Sequence, residues 1–232
     1  MSTETSSQDG TPAAPLSATA RTRVRRLPER ARTGRDDLYA VLDATFICHL
    51  GVVHDGAPRV LPTAYGRQGE TLYLHGSSAN RTMLAADGGP VCVTVTHLDG
   101  LVCARSVFHH SMNYRSAMVY GTGRMVTDPG ERLEALRVIT ENMIPGRWDA
   151  TRAPSRKELA ATSVLAVPLA EASVKIRTGP PGDEPEDYAL DVWAGVVPTA
   201  LECGPPERDP LLTDGIEVPE HIHQFKLRMA GR

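Results

Sequence analysis

Residues 71–81 read T-L-Y-L-H-G-S-S-A-N-R and combine the signals of a β-strand, a tight turn and a helix start. The apolar run 71–74 is typical of a strand, and a helix is predicted to begin near Ser78. A helix N-terminus offers unpaired N–H groups and a positive dipole end. Gly76 allows close backbone approach, and Arg81 adds a bidentate cation. The stretch therefore predicts either a phosphate cradle or an ordinary turn capped by a serine.

The sequence on both sides of this stretch alternates strand-like runs with turns and a few helices. Strands are predicted over 45–53, 58–65, 71–74, 91–97, 101–108, 114–126 and 163–175, and helices over 36–43, 128–144 and from Ser155 onward. Hairpin turns are predicted at 54–56, 68–70 and 98–100. Pro62 cannot donate a ladder hydrogen bond, which places its strand at a sheet edge or a bulge. Six or seven strands joined mainly by hairpins favour an antiparallel barrel with inserted helices.

Charge divides the 232-residue chain into unequal parts. Residues 1–20, rich in Ser, Thr, Ala and Pro, are predicted to be a disordered tail, and residues 21–35 carry seven arginines against one acid. From residue 36 onward, 25 acids exceed 18 bases. The arginine-rich arm is predicted to lie along the surface, to clamp an acidic body, or to bind a phosphorylated ligand or nucleic acid. The acidic remainder makes nucleic acid an unlikely partner.

Cysteine usage and hydropathy indicate a cytoplasmic protein. Cys48, Cys92 and Cys103 sit in apolar strand-like runs, and no pair has the spacing of a zinc site. Free buried cysteines suit a reducing compartment. No apolar run reaches the length of a membrane span, and the N-terminus lacks the pattern of a secretory signal. The sequence therefore predicts a cytoplasmic protein without a membrane partner.

Four segments in a fixed order resemble one family. They are R-V-L-P-T-A-Y at 59–65, L-Y-L-H-G-S at 72–77, Y-R-S-A-M-V-Y-G at 114–121 and W-A-G at 193–195. In this order they resemble the flavin-binding split-barrel superfamily, and most closely the pyridoxamine 5′-phosphate oxidase-related proteins that include the nitroimidazole-resistance group. The resemblance implies a mainly β fold with inserted helices, a six-stranded antiparallel Greek-key split β-barrel that binds FMN over residues 36–200. Residues 201–232 are then a C-terminal extension.

The resemblance also implies a homodimer in which FMN lies in two grooves between the subunits. Its ring would rest on the strand that contains Arg59, Leu61, Pro62 and Thr63; its ribityl chain and phosphate would contact His75, Gly76, Ser77, Asn80 and Arg81; and Tyr114, Arg115, Ser116 and Trp193 would reach it from the partner subunit. The alternative is that these residues bind no ligand. In that case the strand 59–65 is a bulged edge strand, Arg115 forms a surface salt bridge and Trp193 is buried in the core.

Departures from the oxidases narrow the activity. The oxidases place a lysine five residues after the arginine of the ring-binding strand, where this chain has Ala64. The arginine and histidine that hold their substrate are not found either, which makes pyridoxal phosphate synthesis unlikely. The nitroimidazole-resistance proteins carry a histidine at the position of His75, which favours that branch.

The pair His109–His110 adds a second candidate for chemistry beside His75. Adjacent strand residues point to opposite faces, so the pair is a poor bidentate metal site, and no metal is predicted. His75 and His110 are candidate catalytic residues, with a role as general acid near the flavin. The alternative is a hydrogen-bonded structural histidine.

These features together predict an FMN-dependent oxidoreductase acting on a small-molecule substrate. Electrons would pass from a reduced nicotinamide or similar donor to a small planar acceptor such as a nitroaromatic or a quinone. The sequence has no G-x-G-x-x-G fingerprint, so a nicotinamide would bind transiently over the ring. The same fold with F420 or haem, and a flavin-binding or stress protein without turnover, are the alternatives.

Overall fold

The computed structural model describes residues 15–16 and 19–230, with side chains as far as Phe225. The strands are β1 (Ala31–Arg32), β2 (Ile47–His54), β3 (Ala57–Gln68), β4 (Thr71–Ser77), β5 (Pro90–Cys103), β6 (Ser111–Thr122), β7 (Arg124–Met125), β8 (Thr162–Pro168), β9 (Glu171–Arg177) and β10 (Gly195–Pro198). The helices are α1 (Arg35–Leu42), α2 (Arg81–Ala86), α3 (Pro129–Met143), α4 (Arg156–Ala161) and α5 (Glu220–Ala230), with 3₁₀ turns at Pro28–Arg30, Val107–His109 and Pro185–Ala189.

The named strands form one mainly antiparallel sheet that bends around the core without closing. Its order is β1-β9-β6-β5-β2-β3-β4-β8-β7, with β10 paired to β5. The two ends of this path, β1 and β7, are not paired with each other. The predicted mainly β architecture with inserted helices is therefore confirmed, and the open sheet is consistent with a split barrel.

Strand β3 joins the two halves of the sheet because it changes partner along its length. Its first eight residues pair with β2, and Tyr65–Gln68 pair with β4. Over residues 57–64, the part of β3 that precedes Tyr65, β4 no longer runs beside β3. One edge of this part of β3 therefore has no neighbouring strand among the described residues. The opening of the split barrel lies at this divergence.

Two apolar clusters hold the halves together. The larger one fills the interior of the bent sheet and includes Leu50, Tyr65, Val93 and Leu165. The smaller one lies beneath α3, where Tyr73, Ala135, Ile139 and Val164 are buried together. Burial of each such side chain contributes about 1.5–3 kcal/mol, so helix α3 is bound to the sheet chiefly by this contact.

The predicted hairpin at 98–100 is wrong. Strand β5 runs unbroken from Pro90 to Cys103, and the register shifts at a bulge between Leu98 and Gly100. A Cβ on Gly100 would lie 2.9 Å from Val196 Cγ1 of β10, so glycine here permits close strand packing. A glycine after an aspartate has the composition of a turn, which explains the error.

The predicted single strand over 163–175 is also wrong. The chain leaves β8 after Pro168 and enters β9 at Glu171, and the two strands pair with different neighbours. The N–H of Leu169 donates to the carbonyl of Glu70 at 2.8 Å, which fixes the crossing point. Because Val164–Val167 and Leu169 are all buried, the apolar pattern continues through the break.

The predicted tail over 1–20 falls mostly outside the described residues. Of its described part, Leu16 is buried and its N–H donates to the carbonyl of Thr33 at 2.8 Å. In the arm, Arg21 pairs with Glu171 and Arg35 with Glu70, so two of its arginines contact acids outside the arm in their own chain. The predicted domain boundaries stay predictions. Of the helices in the described ranges, none has the length and apolar character needed to span a bilayer.

Candidate functional site

Strands β3 and β4 separate beyond the Tyr65–Leu74 pair, and the gap between the open edge of β3 and the end of β4 is here called the cleft. The N–H of Tyr65 donates to the carbonyl of Phe46 at 3.2 Å, which makes the odd-numbered residues of β3 the ones that bond β2. Even-numbered residues, Pro62 among them, therefore direct their backbone away from β2. The prediction that Pro62 lies on a strand edge is confirmed. This edge carries the backbone groups of Pro58, Val60, Pro62 and Ala64, of which the two prolines have no N–H.

The end of β4 forms the facing wall. The hydroxyl of Thr63 donates to the carbonyl of His75 at 3.3 Å and spans the point where the two strands separate. Thr63 and His75, both predicted site residues, therefore lie side by side. Leu61 precedes this bridge on β3 and is partly buried opposite Leu50 of β2.

His75 is the chemically distinctive side chain of the cleft. Its Nδ1 is buried and has no hydrogen-bond partner among the described residues. Burial lowers the pKa of the imidazole, so His75 is neutral at pH 7. A neutral imidazole with an unsatisfied nitrogen can hydrogen-bond a ligand or coordinate a metal. The imidazole of His75 is therefore suited to hydrogen-bond a polar atom of a cofactor.

The turn after β4 satisfies its own backbone. Helix α2 begins at Arg81, three residues later than predicted, and its cap is Asn80 rather than a serine. The N–H groups with internal partners are Ser78 (carbonyl of Ala161, 2.9 Å), Ala79 (Oγ of Ser77, 3.3 Å), Asn80 (carbonyl of Ser77, 2.9 Å), and Thr82 and Met83 (Oδ1 of Asn80, 3.0 and 3.3 Å). A ligand at this turn would therefore meet side chains rather than these five N–H groups.

Gly76 is required by the same turn. A Cβ at this position would lie 3.1 Å from Met83 Cγ and 3.3 Å from Asn80 Nδ2. Met83 is fully buried, so it would have to shift within a packed interior to admit the new atom. The glycine therefore allows α2 to pack against the end of β4.

Replacing Asn80 with alanine is expected to lower the free energy of unfolding by about 1 kcal/mol, because two N–H groups of α2 lose their acceptor. Urea denaturation followed by circular dichroism measures the change. Asn80→Asp keeps an acceptor at the same place and should stay within a few tenths of wild type. Equal losses in both variants would show that the cap does not stabilise the turn.

Two exposed cations lie on the elements that border the cleft. Arg59 lies on the open-edged part of β3, and Arg81 is the first residue of α2. Both side chains are exposed, and within residues 15–16 and 19–230 neither makes a salt bridge or a side-chain hydrogen bond. Unpaired guanidinium groups are well suited to phosphate.

Tyr114, Arg115 and Ser116 lie apart from this cleft within one chain. In the sheet, Pro62 of β3 lies opposite His49, His49 lies opposite Thr94, and Thr94 lies opposite Met118 of β6. The distance from Pro62 to β6 is therefore three strand spacings, or about 14 Å. Arg115 instead donates to Asp99 at 2.8 and 3.0 Å, across the bulge of β5, and this contact raises its pKa. Within one chain, Arg115 therefore forms the surface salt bridge that was the alternative to a flavin contact.

Trp193 and His110 are also exposed. Trp193 is 68% exposed, which rules out core burial in its own chain, and its ring lies over Gly195. The Nδ1–H of His110 donates to the carbonyl of Ser106 at 2.8 Å. Neither residue is brought to the cleft by the single chain.

A second concave site was missed by the sequence analysis. The segment 206–222 and the loop that follows α3 border an open cavity of about 780 Å³, the C-terminal cavity. His221 lines this cavity, and its Nε2 is buried without a partner among the described residues. The signal lay in the H-I-H triplet at 221–223, but only the folded chain brings it against α3.

The open split barrel and a cleft that ends in free cations define a protein of the flavin-binding split-barrel class. Residues 34–176 match the sequence model of the pyridoxamine 5′-phosphate oxidase family. The chain belongs to this family.

Solved structures agree with the family match. The flavocytochrome Anf3 from Azotobacter vinelandii is 41% identical, with a TM-score of 0.86, over 90% of this chain and 98% of that one. A FAD and haem binding protein from Mycobacterium smegmatis is 38% identical, with a TM-score of 0.81, over 85% and 97%. A putative 5-nitroimidazole antibiotic resistance protein from Bacteroides thetaiotaomicron, 21% identical with a TM-score of 0.54 over 63% and 86%, shares the fold. Among curated sequences, none matches the chain significantly.

Proposed function

We propose that this protein is a redox protein that binds a flavin and a haem and passes electrons between a reduced donor and a small acceptor. The observation that carries the proposal is the cleft between β3 and β4, which is bordered by an open strand edge and a neutral histidine, with exposed guanidinium groups on β3 and at the start of α2. The two relatives of 41% and 38% identity, one a flavocytochrome and the other a FAD and haem binding protein, support the second cofactor.

Different residues of the cleft would bind different parts of the flavin. The edge of β3 near Pro62 would support the ring with backbone groups, and Arg81 and Arg59 would neutralise the phosphate. His75 would hydrogen-bond a polar atom of the cofactor or its substrate through its unsatisfied nitrogen. A bound flavin supplies hydride acceptance and release of electrons in one or two steps. The chain supplies position, charge and exclusion of water.

FAD is favoured over the predicted FMN because the 38% identical relative is a FAD and haem binding protein. FMN and F420 stay alternatives. The flavin released by denaturing the purified protein, separated by chromatography and treated with phosphodiesterase, distinguishes FAD from FMN. The donor and the acceptor, a nitroaromatic or a quinone, stay predictions.

The proposed flavin site is completed by a second copy of the chain. Tyr114–Ser116 and Trp193 lie outside the cleft of their own chain, so a partner must bring them there. The sheet face opposite the core exposes large apolar side chains, with Ile47 48%, Val53 60%, Val60 68% and Met118 37% exposed. A second copy covering this face would remove them from water.

Light scattering coupled to size exclusion tests the dimer. Wild type is expected at about twice the chain mass, and Val60→Lys should shift the protein toward monomer because it places a charge in the apolar face. Lys157→Glu, an exposed change on α4, serves as the control. A monomeric wild type with bound flavin would contradict the shared site.

Absorbance of the purified protein tests the function. Flavin bands together with a Soret band are expected, and anaerobic addition of NADH or NADPH should bleach the flavin and reduce the haem. Reoxidation by a quinone or nitro compound would mark an oxidoreductase, whereas cofactors that no donor reduces would mark a binding protein without turnover. A protein that takes up neither added flavin nor added haem would overturn the proposal.

A further inference from the structure

We propose that the arginine-rich arm of one subunit binds the adenosine-side phosphate of the FAD that lies in the cleft of its partner. The binding surface, here called the arm patch, combines four arginines of the arm with two cations of β9: Arg25, Arg26, Arg30, Arg32, Lys175 and Arg177. The inference rests on the proposed function, because it needs a flavin dinucleotide and a site completed by a second copy. It adds cations outside the cleft that distinguish FAD from FMN.

Strand pairing brings the arm patch together. Strand β1 of the arm pairs with β9, and Ala31 lies opposite Lys175. The ammonium group of Lys175 donates to the carbonyl of Arg26 at 3.0 Å, which fixes the start of the arm against the same strand. Arg177 follows two residues later on β9 and therefore lies on the same face as Lys175. Three short segments thus place six cations at one end of the sheet.

The arm patch has one carboxylate beside its six cations. Arg25 and Arg26 are exposed, and within residues 15–16 and 19–230 neither side chain makes a hydrogen bond or a salt bridge. Arg32 donates to two backbone carbonyls, at 3.1 and 3.2 Å. Arg30 has the carboxylate of Glu29 at 3.8 Å, which is the one acid within salt-bridge distance of the patch in the described part of the chain. The patch therefore suits an anion from outside the chain.

Arg177 gives a second and separate indication of an anion. Its side chain is buried, with 9% of the residue exposed, and a buried guanidinium is normally paired with a carboxylate. Here it donates to the amide oxygen of Asn113 and to the carbonyls of Gly179 and Pro180, at 3.3 and 3.1 Å. Burial and the neighbouring charge of Arg30 lower the pKa of Arg177. An anion bound beside them would offset the repulsion between the two guanidinium groups.

The arm patch lies next to the residues that a partner would bring to the flavin. In the pairing of β6 with β9, Tyr114 is opposite Arg177 and Ser116 is opposite Lys175. Neighbouring strands are about 4.8 Å apart, so the patch begins one strand away from Tyr114–Ser116 and continues through β1. A partner that delivers Tyr114 and Ser116 to the cleft therefore delivers the arm patch beside them.

FAD carries a phosphate that FMN lacks. In the proposed site, Arg81 and Arg59 neutralise the phosphate next to the riboflavin, which both cofactors share. The adenosine-side phosphate follows it, further from the ring. Guanidinium groups bind phosphate through paired, charge-assisted hydrogen bonds, and Arg25 and Arg26 have their donors available. Because acids outnumber bases from residue 36 onward, this positive charge is a property of the patch and not of the whole chain.

The test compares the dissociation constants of FAD and FMN, measured by calorimetry on full-length apoprotein. Changing Arg25 and Arg26 together to alanine is expected to weaken FAD binding by more than about tenfold, because two charge-assisted contacts are lost. FMN binding should change by less than about twofold, since FMN has no adenosine-side phosphate. The control changes Arg156 and Lys157 of α4 together to alanine, which removes the same charge from an exposed surface and should affect neither cofactor.

The outcomes separate this inference from the proposed function. Wild type that binds neither flavin would overturn both. Wild type that binds flavin would overturn the role of the arm patch alone if the double alanine variant loses equal affinity for FAD and FMN, or loses none. If circular dichroism shows that this variant is unfolded, the change of Arg25 and Arg26 to glutamine decides by the same ratio of FAD to FMN affinity.

A reduced nicotinamide dinucleotide also carries a diphosphate, so the donor is tested separately. The binding of NADH to the FMN-loaded protein is measured without oxygen in wild type and in the Arg25 and Arg26 double alanine variant. The inference expects no difference between these two proteins. Weaker NADH binding in the variant, with an unchanged ratio of FAD to FMN affinity, would assign the arm patch to the electron donor and overturn its assignment to FAD.

Discussion

Replacing Gly123 with alanine is expected to lower the free energy of unfolding by about 3 kcal/mol, because the new Cβ would meet backbone that cannot move. It would clash with the carbonyl oxygen of Ala86 and lie 3.0 Å from Leu165 Cδ1. Gly123 also accepts from the N–H of Gly88 at 2.9 Å and donates to the carbonyl of Gly89 at 3.0 Å. The contact ties the end of α2 to the junction of β6 and β7.

Urea denaturation measures this loss, with Gly182→Ala as the control. Gly182 has no atom within 4 Å of a built Cβ, so its alanine variant should stay within about 0.5 kcal/mol of wild type. A Gly123→Ala protein as stable as the control would mean that α2 can shift away from the β6–β7 junction. The flavin cleft would then be less rigid than its packing indicates.

Replacing Arg81 with alanine is expected to weaken flavin binding by about 10- to 100-fold, the usual effect of losing one charge-assisted phosphate contact. The turn before α2 uses its N–H groups internally, so it cannot compensate with backbone donors. Titration of flavin into apoprotein, followed by quenching of flavin fluorescence, gives the dissociation constants. Arg81→Lys should recover part of the affinity, since it keeps the charge and loses the fork.

Arg156 provides a matched control for this experiment. Like Arg81, it is exposed and begins a six-residue helix with a side-chain cap. Arg156→Ala should leave flavin affinity unchanged because α4 has no part in the cleft. Equal affinity in wild type and Arg81→Ala would refute the phosphate role of Arg81 and move the cofactor to another cation, Arg59 first.

Local patterns predicted most of the elements. The spacing of Leu133, Leu136 and Ile139 is typical of the helix that α3 forms, the capping box at Ser155 begins α4, and Pro62 lies on an unpaired edge of β3. The predicted single strand 114–126 is also wrong, because the chain divides at Gly123 into β6, which pairs with β9, and β7, which pairs with β8. Two further strand errors arose where a single pattern serves two structures. A glycine after Asp99 fits a bulge as well as a turn, and an unbroken apolar run hides the crossing after Pro168.

The cleft could be predicted only in part. Thr63 and His75 were expected to share a site, and they do lie together. The role of Asn80 as helix cap was missed, because a serine in the turn has the same propensity. The C-terminal cavity was missed because it depends on a contact between α3 and residues 206–222, which local sequence does not encode.

The open edge of β3 also affects the tendency of the free chain to aggregate. An unpaired strand edge invites pairing with another chain, and so promotes aggregation. The register turns the backbone of Pro58 and Pro62 to this edge, and proline has no N–H to donate. Only Val60 and Ala64 can donate an N–H there, so this edge offers a neighbouring chain half of the donors of a regular strand. The two prolines are therefore expected to hinder edge-to-edge aggregation, an effect separate from the binding of a ligand.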